Sequence, residues 1–222
     1  MNLTINGKAV QAQPGETVYA AATRSRIVIP SLCASIHLSA YGSCRLCLSH
    51  IEGMNGLHAT CSMPAKDGMT VNTESELLTT HRRNLIELYL SERPEGVPLG
   101  ALTDLANTYG VTRVRYPSGV QRAAIRDESN PFFTFDNQRC ISCARCVRAC
   151  DEIQPAFAVS MVKAGFLMRP AWGGAGLTSL EGVASSSCVS CGACVKECPT
   201  GALIEKTVIL HGAPASHVRT TS

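Results

Sequence analysis

One spacing is written twice in this chain. Cys140, Cys143, Cys146 and Cys150 form a C-x2-C-x2-C-x3-C run, and Cys188, Cys191, Cys194 and Cys198, followed by Pro199, form a second. Three cysteines spaced by two residues on a tight loop can wrap one face of a common centre. The fourth lies three residues further on, where the start of a helix carries it away. It is placed to serve the neighbouring centre instead, so each run stitches two sites together.

This doubled spacing is the ligand pattern of paired [4Fe–4S] clusters, in which the fourth cysteine of each run binds the cluster of the other. It assigns Cys140, Cys143, Cys146 and Cys198 to a first cluster, and Cys188, Cys191, Cys194 and Cys150 to a second. The competing reading is structural zinc. A tetrahedral zinc site takes a CxxC pair from each of two loops, which leaves the third cysteine of each run surplus.

The remaining cysteines follow the same economy. All twelve in the 222-residue chain fall into three groups of four, which argues against disulfides and against free reactive thiols. The N-terminus lacks a basic stretch followed by an apolar run, and no window is apolar for long enough to span a membrane. Thiolate-rich sites without a signal segment point to a reducing, cytoplasmic setting. Net charge is +3, but Lys and Arg are scattered and aromatics are few, which excludes a nucleic-acid partner. The basic excess reads as an offset to anionic clusters, with Arg45, Arg139, Arg145, Arg148 and Lys196 beside or between the cysteines. Each could equally be an ordinary solvated charge.

In chain order, residues 1–13 alternate as a β-hairpin about Asn6-Gly7. Thr17 is placed to cap a helix reaching Arg24, with Val18, Ala21 and Ala22 inward. The third cysteine group then follows: Cys33, ten residues, Cys44, two residues, Cys47, thirteen residues, Cys61. Strands are expected over 48–52, from about 57 to Cys61 and over 69–72. Hairpin, helix, ligand loop and strands is the order of a β-grasp [2Fe–2S] ferredoxin, with zinc again the competitor. Gly42 is expected to let the backbone approach the cluster. Residues 75–91 form a helix, capped by Thr73 or Ser75, with an inward stripe of Leu77, Leu78, His81, Leu85, Leu88 and Tyr89. Its His81-Arg82-Arg83 run reads as a solvated or partner-facing turn. A short helix over 102–108 precedes Gly110. Residues 111–130, with Arg113, Arg115, Arg122 and Arg126, read as an irregular arm. Strands are expected near 130–136, over 157–162 and over 201–206. Gly173-Gly174-Ala175-Gly176 lacks the strand–helix context of a phosphate loop and reads as a plain loop, and residues 211–222 as a polar tail.

The fold class predicted is α+β. A β-grasp [2Fe–2S] ferredoxin domain covers 1–74, a helical linker and arm 75–130, a two-cluster [4Fe–4S] ferredoxin-like domain 131–210, and the tail 211–222. The cofactors are one [2Fe–2S] cluster on Cys33, Cys44, Cys47 and Cys61, and two [4Fe–4S] clusters. No residue is nominated as catalytic.

Three stretches carry a family resemblance: Ser31-Leu32-Cys33 through Gly42-Ser43-Cys44-Arg45-Leu46-Cys47; Asn137-Gln138-Arg139-Cys140 through Cys150-Asp151-Glu152; and Cys188 through Cys198-Pro199-Thr200-Gly201-Ala202-Leu203. Together they resemble the N-terminal iron–sulfur region of the alpha subunit of cytosolic, NAD-dependent molybdenum or tungsten formate dehydrogenases. The same arrangement occurs in the large iron–sulfur subunit of complex I and in the diaphorase subunit of NAD-reducing [NiFe] hydrogenases. The resemblance implies an electron-transfer subunit or fragment between a molybdopterin-type catalytic subunit or domain and a flavin/NAD-binding diaphorase subunit. The alternative is the hydrogenase diaphorase, and from a different class a zinc-stabilised interaction module. Relatives usually hold a further cluster on one histidine and three cysteines after the long helix. Here Arg93 stands at the histidine position and Val97 at the first cysteine position, so that cluster is expected to be absent.

Overall fold

The computed structural model of the protein describes residues 1–117, 124–173, 182–183 and 186–206. Strands β1 (Asn2–Ile5) and β2 (Lys8–Gln11) pair as an antiparallel hairpin with Leu3 opposite Val10. Its two turn residues, Asn6 and Gly7, both hold positive φ, 49° and 75°, the backbone that matches the twist of the flanking strands. Helix α1 (Val18–Arg24) starts where the Thr17 hydroxyl accepts from the Ala20 amide, and it buries Val18, Ala21 and Ala22. Strands β3 (Leu48–Ile51), β4 (Leu57–Ala59) and β5 (Thr70–Asn72) complete a mixed sheet of order β2-β1-β5-β3-β4, with β1 and β5 parallel. Leu3, Ile5, Val10, Ile51 and Val71 join the inward face of α1 in one core.

Helix α2 (Glu76–Ser91) is capped by Ser75, whose hydroxyl accepts from the Leu78 amide. Thr73 is engaged elsewhere, bonded through its amide and hydroxyl to the Asn6 side chain. The apolar stripe expected of α2 is narrower than predicted: Leu78 and Ile86 are buried, but Leu77 and Leu88 face solvent. Arg82 corrects the reading of a solvated basic turn. It is 2 % exposed, donates to the carbonyls of Leu46 and Leu48, and lies 5.9 Å from the Tyr109 ring centroid. Arg83 donates to the Tyr109 carbonyl. The two arginines thus tie α2 to the ligand loop and to the end of α3 (Ala101–Thr108).

The arm supplies a strand despite its irregular sequence. β6 (Arg126–Asp127) pairs with β7 (Phe133–Asp136), which pairs with β10 (Leu203–Glu205). A second antiparallel ribbon joins β8 (Val159–Val162) to β9 (Arg169–Trp172). β8 starts two residues later than expected, because Phe157 has φ of 48° and is exposed. Arg122, Gly174-Ala175-Gly176 and the 211–222 tail lie outside the described residues. Among the described residues no helix is long and apolar enough to cross a membrane.

A third apolar cluster joins the first ligand loop, α2 and α3 to the start of the doubled cysteine run. Leu32, Cys33, Cys44 and Leu46 of the first ligand loop pack with Ile86, Leu99 and Leu102 and with Ile141. Gly100 marks a close approach across this junction: a β-carbon there would sit 2.6 Å from the Pro199 carbonyl oxygen. The Ala101 amide donates to that same oxygen.

Candidate metal centres

The thiols of Cys33, Cys44, Cys47 and Cys61 gather at one end of the five-stranded sheet, and each is at most 4 % exposed. Cys47 immediately precedes β3 and Cys61 follows β4 by two residues, so the β3–β4 pairing fixes their separation. Backbone amides point at the sulfurs: Leu32 N–H donates to Cys44 Sγ and Cys44 N–H to Cys33 Sγ, both at 3.4 Å. Ser31 Oγ lies 3.6 Å from Cys44 Sγ. Gly42 takes φ of 72°, and a β-carbon there would meet only Ser62 Oγ at 4.0 Å. Within the chain, therefore, the turn geometry demands glycine at this position.

The four thiols share protons. Hydrogen bonds from Cys44 and Cys61 draw the Cys33 thiol far below the usual thiol range, and the bond from Cys61 draws Cys47 down to about 6. Cys44 and Cys61 are pushed up, first by their bonds to Cys33. Iron thiolates form only as protons leave such a set.

The doubled run folds as a backbone repeat. Ser142 and Ser190 hold φ of 57° and 55°, and Ala144 and Gly192 hold 57° and 74°. Two left-handed residues per run curl the first three thiols around one centre. Helices α4 (Arg145–Arg148) and α5 (Ala193–Lys196) then start. The helical turns carry Cys150 and Cys198 out of their own loops. One pocket is lined by Cys140, Cys143, Cys146 and Cys198, and another by Cys150, Cys188, Cys191 and Cys194. Each pocket thus draws three thiols from one run and one from the other. Their walls are apolar, with Phe135, Met161 and Leu203 in the first and Phe133, Val159 and Trp172 in the second.

Amides again point at sulfur: Ser142 N–H at Cys140, Ser190 N–H at Cys188, both 3.4 Å, and Ala158 N–H at Cys150, 3.3 Å. Burial pushes Cys143 and Cys194 up to about 12 and raises Cys146 as well. Arg145 crosses between the runs to Glu197, 2.6 Å away, a contact that spacing alone does not signal. Burial pushes the Glu197 carboxyl up, but the Arg145 hydrogen bond helps bring its net pKa below the usual carboxylate range.

The donor set fits iron–sulfur clusters. Among the described residues no three His, Cys, Asp or Glu side chains converge on one ion-sized point. Each of the two apolar pockets offers four thiols, one for each corner of a multi-iron core. Of the sulfurs, Cys191 alone belongs to an exposed residue.

Comparison with known proteins gives two family matches. Residues 1–76 match the family described as 2Fe-2S iron-sulfur cluster binding domain, and residues 139–202 match the 4Fe-4S dicluster domain. The chain thus holds one 2Fe-2S domain and one dicluster domain for two 4Fe-4S clusters. It is 34% identical over its whole length to the NADPH-Fe(3+) oxidoreductase subunit alpha of Geobacter sulfurreducens, covering 26% of that protein. It is 33% identical over 92% of its length to an NADH-quinone oxidoreductase subunit of Rhizobium meliloti, covering 24%. It is also 33% identical over 94% of its length to the NADP-reducing hydrogenase subunit HndD of Solidesulfovibrio fructosivorans, covering 37%. The chain therefore spans only 24% to 37% of the length of these curated relatives. Among solved structures it resembles a chain of an NAD+-reducing [NiFe]-hydrogenase in the H2-reduced state. That likeness has a TM-score of 0.80 and 29% identity, covering 96% of this chain and 90% of that one.

Proposed function

We propose that the chain is an iron–sulfur electron-transfer component of an NAD(P)-linked oxidoreductase complex, with its thiol sets in a unit over residues 1–74 and another over 131–210. The reading rests on one observation above the rest: two apolar pockets, each lined by four cysteines drawn from both runs. Each cluster, when bound, accepts and releases one electron at a time. The chain's residues do the rest. Cys33, Cys44, Cys47 and Cys61 hold the [2Fe–2S] group, Cys140, Cys143, Cys146 and Cys198 one [4Fe–4S] group, and Cys188, Cys191, Cys194 and Cys150 the other. Amides directed at sulfur favour the electron-rich state, and apolar walls exclude water; both set potential.

Its partners in this reading are a flavin/NAD-binding diaphorase subunit and a catalytic subunit that oxidises the fuel. The motif resemblance carries formate oxidation at a molybdopterin centre. The likeness to a chain of an NAD+-reducing [NiFe]-hydrogenase supports hydrogen as much. Identifying the co-purifying subunit separates them: a molybdopterin protein supports formate and a nickel–iron protein supports hydrogen. Metal analysis of anaerobically purified protein tests the reading itself. Brown protein with roughly ten irons per chain is expected; colourless protein with about three zincs overturns it.

A further inference from the structure

Five basic residues flank the cysteines, and the structure separates one from the rest. Arg45 and Lys196 are exposed. Arg139 pairs with Asp136 and Arg145 with Glu197. Arg148 is 9 % exposed, and among the described residues no carboxylate pairs with it. Its guanidinium donates through Nη2 to the Cys33 carbonyl and through Nη1 to the Ser39 carbonyl, both at 2.6 Å. It also lies 5.2 Å from the centroid of the Tyr41 ring. The neighbouring Glu152 carboxylate accepts from the Ser39 amide at 2.6 Å, so both peptide groups flanking this loop position are held from the same segment.

A buried cation needs compensation. Two carbonyls and an aromatic face supply part of it, but none of these carries a full negative charge. Arg148 sits on α4 midway between Cys146 and Cys150, and residues two apart on a helix point to different sides. Its side chain accordingly leaves its own run and ends against the loop of Cys33. A four-thiolate [2Fe–2S] site there is anionic in both oxidation states and more so when reduced.

We propose that Arg148 is a positioning residue for the first ligand loop and the counter-charge of the Cys33 set, so that a residue of the dicluster unit raises the reduction potential of the [2Fe–2S] site. The fork holds the 33–41 loop against α4, and the fixed positive charge favours the more negative, reduced state. This rests on the iron–sulfur reading above. Wild-type protein lacking iron ends that reading before any variant is made; the following outcomes bear on Arg148 alone.

Anaerobic redox titration followed by electron paramagnetic resonance, with iron content measured alongside, tests it. In R148Q at full iron content, the reduced-to-oxidised ratio of the [2Fe–2S] signal at fixed poise is expected to fall at least tenfold, about 59 mV for a one-electron couple. The [4Fe–4S] signals are expected to move less. R148K keeps the charge and loses the fork. Its ratio is expected to stay within about threefold of wild type, a bound set well inside the tenfold step. Hydrogen exchange over 34–41 is expected to quicken in both variants. An unshifted [2Fe–2S] potential in fully loaded R148Q overturns the proposal, because faster exchange alone marks a purely structural clamp. If R148Q loses its [2Fe–2S] iron, R148K decides. Full loading with a near-native potential supports the counter-charge; a tenfold fall, or loss of iron with the charge intact, overturns it.

Discussion

The ligand loop of residues 33–61 and the doubled run of 140–198 hold the same kind of side chain on opposite kinds of support. Among the described residues, the first core contains two cysteines in its twenty-two buried and partly buried apolar members. The second contains six among sixteen. Leu3, Ile5, Val18, Ile51 and Val71 hold up the sheet that carries Cys47 and Cys61. In the dicluster unit the thiols are themselves much of what Phe133, Phe135 and Trp172 pack against. Its ligand helices span only four residues each. A scaffold that stands by itself can accept a cluster late; one built around thiols has to fold with its clusters.

Removing iron should break the two halves apart, and this is the largest effect expected. Chelation under reducing conditions should leave slow hydrogen exchange at Leu3, Ile5 and Val71 and abolish it in β7 and β10. Equal loss in both halves would erase the contrast. Next comes Arg82→Leu, which strands the Leu46 and Leu48 carbonyls beside the ligand loop. Each buried acceptor left without a donor costs about 1–3 kcal/mol. Thermal unfolding followed at the [2Fe–2S] absorbance should shift down while the dicluster signal changes less.

Glu197→Gln probes the other half. Loss of the charged hydrogen bond to Arg145 should cost about 2 kcal/mol near neutral pH. The Glu197 pKa is depressed from 4.5 in the folded protein. Its contribution is therefore full above the unfolded carboxylate pKa and disappears as pH falls through the lower folded value. The gap between variant and wild-type unfolding temperatures should close on acidification; a gap that widens would contradict the pairing. The smallest effect is Ser75→Ala, about 1 kcal/mol from the lost α2 cap, read by denaturant unfolding of the N-terminal half.

Much of this was legible in the chain before any coordinates. Asn6-Gly7, Thr17 and the cysteine spacings act through neighbours a few residues away, so the hairpin, α1 and the grouping of thiols follow from local rules. The burial of Arg82 was not legible, and for Arg148, already a candidate offset to cluster charge, the loop it reaches was not, because their partners lie 34 to 36 and 109 to 115 residues away. A basic residue reads as solvated until a distant carbonyl is brought to it. Leu77 and Leu88 failed for the converse reason: helical periodicity marks an apolar face, but only the packing partner decides how wide a face is covered. β6 has two residues and no pattern of its own; it exists because β7 offers an edge. Gly42 holds a left-handed turn, a backbone state that its sequence neighbours do not specify.

The crossing of the two runs carries the account, and serine substitution tests it most directly. Cys198→Ser and Cys150→Ser would be compared with Cys143→Ser and Cys191→Ser by electron paramagnetic resonance of the reduced protein. The pockets predict that Cys198→Ser loses the same [4Fe–4S] signal as Cys143→Ser, and that Cys150→Ser matches Cys191→Ser. If Cys198→Ser instead matched Cys191→Ser, each run would hold its own cluster and the crossed assignment would be wrong.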